Sequence, residues 1–166
     1  MINDFSDYIE DLCVRHPDIL HCQQEKHFVS SKTEKDTSID STLHYPAISL
    51  DKGDFRYKGD SGAFRKEYQY MLLVIDHVSD TGDHKQIRQK IDKCEKILDD
   101  FIRQMIEDKK LRKYKFLNAF SLTDTEGSPV ENIDNALYGI IAFIPIEAPF
   151  ADKSCTNIFM ENKSKL

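Results

Sequence analysis

Between Asp83 and Lys109 apolar side chains return at alternating spacings of four and three: Ile87, Ile91, Cys94, Leu98, Phe101 and Met105, widened by Ile97, Ile102 and Ile106. That period belongs to an amphipathic α-helix, and at ~1.5 Å per residue the segment makes a rod of roughly 40 Å. Asp83, with Gln86 three residues later, supplies a capping-box-like start. The apolar stripe is broad enough to lie across a sheet, so a helix-on-sheet domain is the first expectation.

The rest of the chain supplies strands for that sheet. From Phe64 to Ile75, Phe64, Tyr68, Tyr70, Leu72 and Val74 share one face, and Arg65, Glu67 and Gln69 take the other until both faces become apolar. This predicts a long strand that starts half exposed and ends central. "LHYPAISL" (43–50) reads as a short strand, and Pro46, which cannot donate to a ladder, favours an edge position. "DKGDFRYKGDSG", within 51–63, reads as a turn or extended hairpin loop. "YKFLNAFSLT" (114–123) and "ALYGIIAFIPI" (136–146) read as two more strands, separated by "DTEGSPVENIDN" with its turn-forming Gly127 and Pro129. The second is apolar on both faces and must be central or covered by a neighbouring subunit.

At the N-terminus, residues 3–16 place Phe5, Ile9, Leu12, Cys13 and His16 on one helical stripe, with Asn3 or Asp4 available as cap. The expected fold is therefore α+β: a small mixed or antiparallel sheet of about four strands, with an N-terminal helix and one long helix packed on one face. Residues 1–149 form a single domain with a polar loop insert at 23–42, and residues 150–166 form a C-terminal extension or arm.

Charge and length narrow the function classes. A net charge of -6 argues against specific nucleic-acid binding as the main task, because neutralising phosphates needs a surplus of Lys and Arg. The one basic cluster, Lys109, Lys110, Arg112, Lys113 and Lys115, sits where cations suit the end of a long helix. The longest apolar run, Leu137 to Ile146, is far short of the ~20 residues a membrane helix needs. An acidic, amphipathic N-terminus and four unpaired-looking cysteines (13, 22, 94 and 155) fit a chain made in a cytoplasm with its thiols reduced.

Two clusters carry metal-ligating residue types. In "YMLLVIDHVSDTGDHKQI", Asp76, His77, Asp80, Asp83 and His84 follow an apolar strand, but adjacent strand residues point to opposite faces and Asp83 is needed as a cap. Cys13, His16, Cys22 and His27, with His21 nearby, have a spacing that zinc tolerates, although Cys13 and His16 also suit a core-facing stripe. Neither is assigned as a site. No nucleophile elbow, phosphate loop or dinucleotide fingerprint is present in the sequence. No catalytic residue, cofactor-binding residue or metal ligand is expected, and the chain is read as not an enzyme.

The order of these segments resembles the tail-terminator or tail-completion proteins of bacteriophages and contractile injection systems. The likeness runs over roughly 43–147 and is carried by "YPAISL", "EYQYMLLVID", the long helix "HKQIRQKIDKCEKILDDFIRQMI" and "FSLTDTEGSPVENIDNALYGIIAFIPI", with its polar "N-x-D-N" turn into a last apolar strand. The resemblance implies a structural protein without a cofactor, made in a bacterial cytoplasm. Such a protein forms a homo-oligomeric ring, commonly a hexamer, on the end of a tail tube. It ends tube or sheath polymerisation and joins the tail to a neck, head or cap. Its partners are then tube, sheath and neck or connector proteins, and its contact elements are the loops at 51–63 and 124–135 and the tail after Pro149. The alternatives are another head-tail connector, neck protein or baseplate adaptor and, behind it, a zinc-stabilised binding module or small metal-dependent enzyme built on the two clusters above.

Overall fold

A computed structural model describes residues 4–24, 45–59, 65–133 and 136–149. Two α-helices and a five-stranded sheet follow in the order α1 (Phe5–Arg15), β1 (His21–Gln24), β2 (Ala47–Lys58), β3 (Arg65–His77), α2 (His84–Lys110), β4 (Glu126–Ile133) and β5 (Leu137–Pro149). In space the strands run β1-β2-β3-β5-β4. The last four are antiparallel to their neighbours, and β1 adds a short parallel pairing, His21 to Gln24 against Ala47 to Leu50. This is the expected α+β class. β5 is central, between β3 and β4, which accounts for its apolar faces.

Both helices lie on one face. Phe5, Tyr8, Ile9, Leu12 and Cys13 of α1, and Cys94, Ile97, Leu98, Phe101 and Met105 of α2, bury against Ile48, Leu50, Tyr70, Leu72, Val74, Ile140, Ala142, Ile144 and Ile146. Removing most of one such side chain, as in Leu72→Ala, costs about 2–5 kcal/mol because the gap closes only in part. Asp4 caps α1 by accepting from the Asp7 amide at 3.0 Å. Close approach of β3 and β5 depends on Gly139, because a Cβ there would lie 1.9 Å from the Val74 carbonyl oxygen. The opposite face carries a smaller cluster, Ala47, Leu73, Ile75 and Leu137, bordered by Tyr45, Val130, Ile133 and Ile141. Among the described residues, no helix covers that face.

Four expectations are corrected. Residues 114–123 are not a strand: Lys115–Leu117 and Leu122–Asp124 form short 3-10 turns, and Leu117 and Phe120, three apart as in a helical turn, are the buried residues. The strand that pairs with β5 lies instead in the presumed turn, at 126–133, where Pro129 is tolerated because β4 is an edge. The segment 51–58 is not a loop but the outer two thirds of β2, continued across a bulge between Lys52 and Phe55. Finally, the strand at 43–50 is not an edge over Ala47 to Leu50. It has β1 on one side and β3 on the other, and Pro46 escapes the ladder by preceding the first paired residue. The strand residues 23 and 24 also shorten the proposed insert at 23–42; its remainder, Phe64 and the extension at 150–166 lie outside the described residues.

Candidate functional site

The acidic corner after β3 is a joint in which each carboxylate serves a different local role. Asp76 and His77 do point to opposite faces. Asp76 is buried on the helix side, where its carboxylate accepts from the His77 amide (2.8 Å) and from Lys90 Nζ (3.0 Å), with Lys93 Nζ at 3.9 Å. His77 is exposed on the other side, its ring 6.0 Å from that of Tyr45. Asp80 accepts from the Gly82 amide, a local turn (2.9 Å). Asp83 is the α2 N-cap, accepting from the amides of Lys85 (2.9 Å) and Gln86 (3.1 Å). Gln86 reaches back beyond the cap, so that its Oε1 accepts from the Asp80 amide at 3.2 Å. His84 lines a separate hollow with Arg88, Glu131 and Tyr138.

The second cluster divides in the same way. Cys13 on α1 and Cys22 on β1 share a thiol-to-thiol hydrogen bond, with Cys13 buried and its thiol pushed up, first by that bond and then by desolvation. His16 turns away to α2: Nδ1 accepts from the Asp18 amide (3.2 Å), Nε2 lies 3.5 Å from Asp100 Oδ2, and the ring packs on Phe101. His27 lies outside the described residues, as does any description of the His21 side chain. Among the described residues no three His, Cys, Asp or Glu side chains converge as a metal would require.

The basic cluster closes α2. Arg112 adopts the left-handed conformation (φ 51°), the Arg112 amide donates to Lys109 O (2.9 Å), and the Lys113 amide donates to Asp108 O (3.0 Å). This is the hydrogen-bond pair of a Schellman stop. Lys109 Nζ donates to the Phe120 carbonyl, Lys113 pairs with buried Asp108 (3.5 Å), and Lys110 pairs with Glu107 (2.6 Å). Asp108 also accepts from the Tyr8 hydroxyl at 2.9 Å, which ties α1 to the end of α2.

The outer half of the β2–β3 hairpin presents the most chemically distinctive surface. Phe55 (52% exposed) and Tyr57 (59%) share a face with Tyr68, and two ammonium groups lie over the rings: Lys52 3.9 Å from the Tyr68 centroid and Lys66 3.6 Å from that of Phe55. On the other face Arg56 and Lys58 both donate to Glu67, which is almost fully buried. Burial alone would raise the Glu67 carboxyl, but the hydrogen bonds from Lys58 and Arg56 outweigh it and hold the group below its ordinary value. At the opposite margin of the sheet, Ser121 to Ile133 contains Asp124, Glu126 and Glu131 and no Lys or Arg, and exposes Leu122 (55%).

Hollows among the described residues include three of about 290–410 Å³. The fold defines a two-layer α+β domain, helices on one side of a mainly antiparallel sheet. Comparisons of the chain with protein-family models, with curated proteins and with solved structures return no match. None of the edge features is legible as a site in sequence. The alternation of aromatic and basic residues in Phe55, Arg56, Tyr57 and Lys58 is the signal that marks this stretch as a strand with two different faces.

Proposed function

We propose that the chain is a structural subunit of a phage-like tail, forming a ring that terminates tube or sheath polymerisation and joins the tail to the neck, head or cap. The observation that carries this reading is the one-sided sheet. Both helices occupy one face, while the other bears an apolar centre around Leu73, Ile75 and Ile141, and among the described residues β4 and outer β2 each have a strand neighbour on one side only. A sheet finished in this way gives each copy two different surfaces to offer its neighbours. Heterologous contacts that close by rotation make a ring rather than an open filament. The sequence resemblance supplies the setting, and the order helix, hairpin, long helix, hairpin supports it.

The acidic balance favours protein contacts and leaves a passing DNA unbound. On this reading the chain performs no catalysis and needs no cofactor. Negative-stain electron microscopy of the purified protein, alone and with the tube protein of the same particle, tests it. End views of a closed ring, and rings seated on tube ends, are expected. Particles that are single domains in both preparations would contradict it.

A further inference from the structure

We infer that Cys13 and Cys22 form an oxidation site: met by a hydroperoxide, the pair closes to a disulfide that staples strand β1 to helix α1. Ring or monomer, the chain carries the same pair.

The fold brings the two thiols together from both elements. Cys13 lies on the buried stripe of α1, one turn after Ile9, and is 3% exposed. Cys22 pairs with Ile48, whose side chain belongs to the helix-side core, and partners in a parallel ladder face the same way, so Cys22 also points at α1. α1 and β1 approach within 8 Å, Cα to Cα, and the thiols meet in the hydrogen bond described above. The connection between them is held at both ends: the His16 amide closes α1 on Leu12 O (3.0 Å), and the Leu20 amide donates to Pro46 O (3.1 Å). A disulfide needs its Cα atoms ~4.4–6.8 Å apart and its sulfurs turned towards one another, and the second condition is met before any oxidant arrives.

The two thiols divide the chemistry. Cys22 is only partly buried, and the hydrogen bond it accepts from Cys13 holds its thiol below the ordinary value, against burial and the Glu10 carboxylate, which push it up. A partly exposed thiol with thiolate character is the reactive kind, whereas one buried in apolar surroundings is inert. Cys94 shows the contrast. It is fully buried, its Sγ lies 4.0 Å from Tyr138 O, and the charged groups acting on it are Asp76, Lys93 and Lys90, with no thiol among them.

With hydrogen peroxide the step runs as follows. The Cys22 thiolate attacks one peroxide oxygen, an S–O bond forms, the O–O bond breaks, and the departing hydroxide takes up the proton that Cys22 gave up. Sulfur has lost two electrons to the peroxide, and Cys22 is a sulfenic acid. The Cys13 sulfur then attacks the Cys22 sulfur. The S–S bond forms as the S–O bond breaks, and the hydroxyl leaves with the Cys13 proton as a second water. A dithiol and one peroxide thus give a disulfide and two waters. The bridge ties β1, four residues long and paired among the described strands with β2 alone, to a helix packed in the core. So short a strand opens readily on its own, and a covalent tether limits that opening.

Non-reducing tryptic mapping of the reduced protein, before and after excess hydrogen peroxide, tests the site. Cleavage after Arg15 and Lys26 puts Cys13 in peptide 1–15 and Cys22 in peptide 16–26. After peroxide the two peptides are expected to run as one cross-linked species and to separate again on reduction. In Cys13→Ala, dimedone, which labels sulfenic acid, is expected to accumulate on Cys22. Hydrogen exchange at the amides of 22–24 is expected to slow about tenfold in the oxidised wild-type chain. The mapping and the exchange depend on no variant folding. Peptides that stay separate under peroxide, whatever happens at Cys94 and Cys155, would overturn the site. A bridge that forms but leaves exchange at 22–24 unchanged would overturn the staple.

Discussion

Lys90 Nζ lies 3.0 Å from Asp76 Oδ2, joining the buried end of β3 to the first turns of α2. Asp76 is 2% exposed, whereas Lys90 and Lys93 keep part of their side chains in water. Asp76→Ala removes the buried member, and the two lysines can rehydrate. We expect a loss of about 1–3 kcal/mol, typical of hydrogen bonds to charged groups, with the variant still folded. Lys90→Ala leaves a buried carboxylate with the His77 amide and Lys93 Nζ at 3.9 Å, and should cost at least as much. Urea midpoints of the two variants check both values; a loss below ~0.3 kcal/mol in each would show that the pair contributes little.

Asp83 is the cap of the longest helix, with two amides donating to one carboxylate oxygen. Asp83→Ala should lower stability by about 1 kcal/mol, and Asp83→Ser should recover most of it. The same denaturation series reads both.

Arg112 pays for a left-handed backbone in the α2 stop. A non-glycine residue there costs roughly 1–2 kcal/mol, and glycine removes that strain but adds chain entropy in the unfolded state. Arg112→Gly is therefore expected to raise stability by about 0.5–1 kcal/mol, and a fall in the thermal midpoint would contradict the assignment of strain.

Cys94 is fully buried between α2 and β5, and burial, then the nearby Asp76 carboxylate, push its thiol from 9.0 up to about 12. The folded state keeps this proton longer than the unfolded chain does. The stability it provides is complete below pH 9.0 and is lost as pH rises from there through about 12. The slope for one proton is at most about 1.4 kcal/mol per pH unit. Cys94→Ala should flatten stability against pH between 9 and 11, whatever it does to the absolute value; an unchanged slope would remove Cys94 as the cause.

The elements that bury a face were readable from the sequence, and those that do not were missed. α2 shows in the recurrence from Ile87 to Met105, and β3 and β5 in apolar runs, because both have neighbours to hide from water. Among the described residues β4 and outer β2 have a strand neighbour on one side only, and β4 contributes only Val130 and Ile133 to the small cluster. With so weak an alternation, Gly127 and Pro129 read as a turn although an edge strand accommodates both. Residues 114–123 failed in the opposite direction. Tyr114, Phe116, Leu117 and Phe120 are apolar enough for a strand, but they pack as two turns closing the end of the core against Tyr8 and Phe5. At the acidic corner the separation of Asp76 from His77 and the Asp83 cap were legible from strand and helix periodicity. The lysine partners of Asp76, fourteen and seventeen residues away, were not.

The mass of the purified protein by light scattering across a range of concentrations tests the central claim most directly. A single closed species of fixed copy number, expected as a hexamer, that dissociates only at low concentration or high salt is the predicted result. A mass of one chain, 19.3 kDa, at every concentration and with the tube protein present would contradict it.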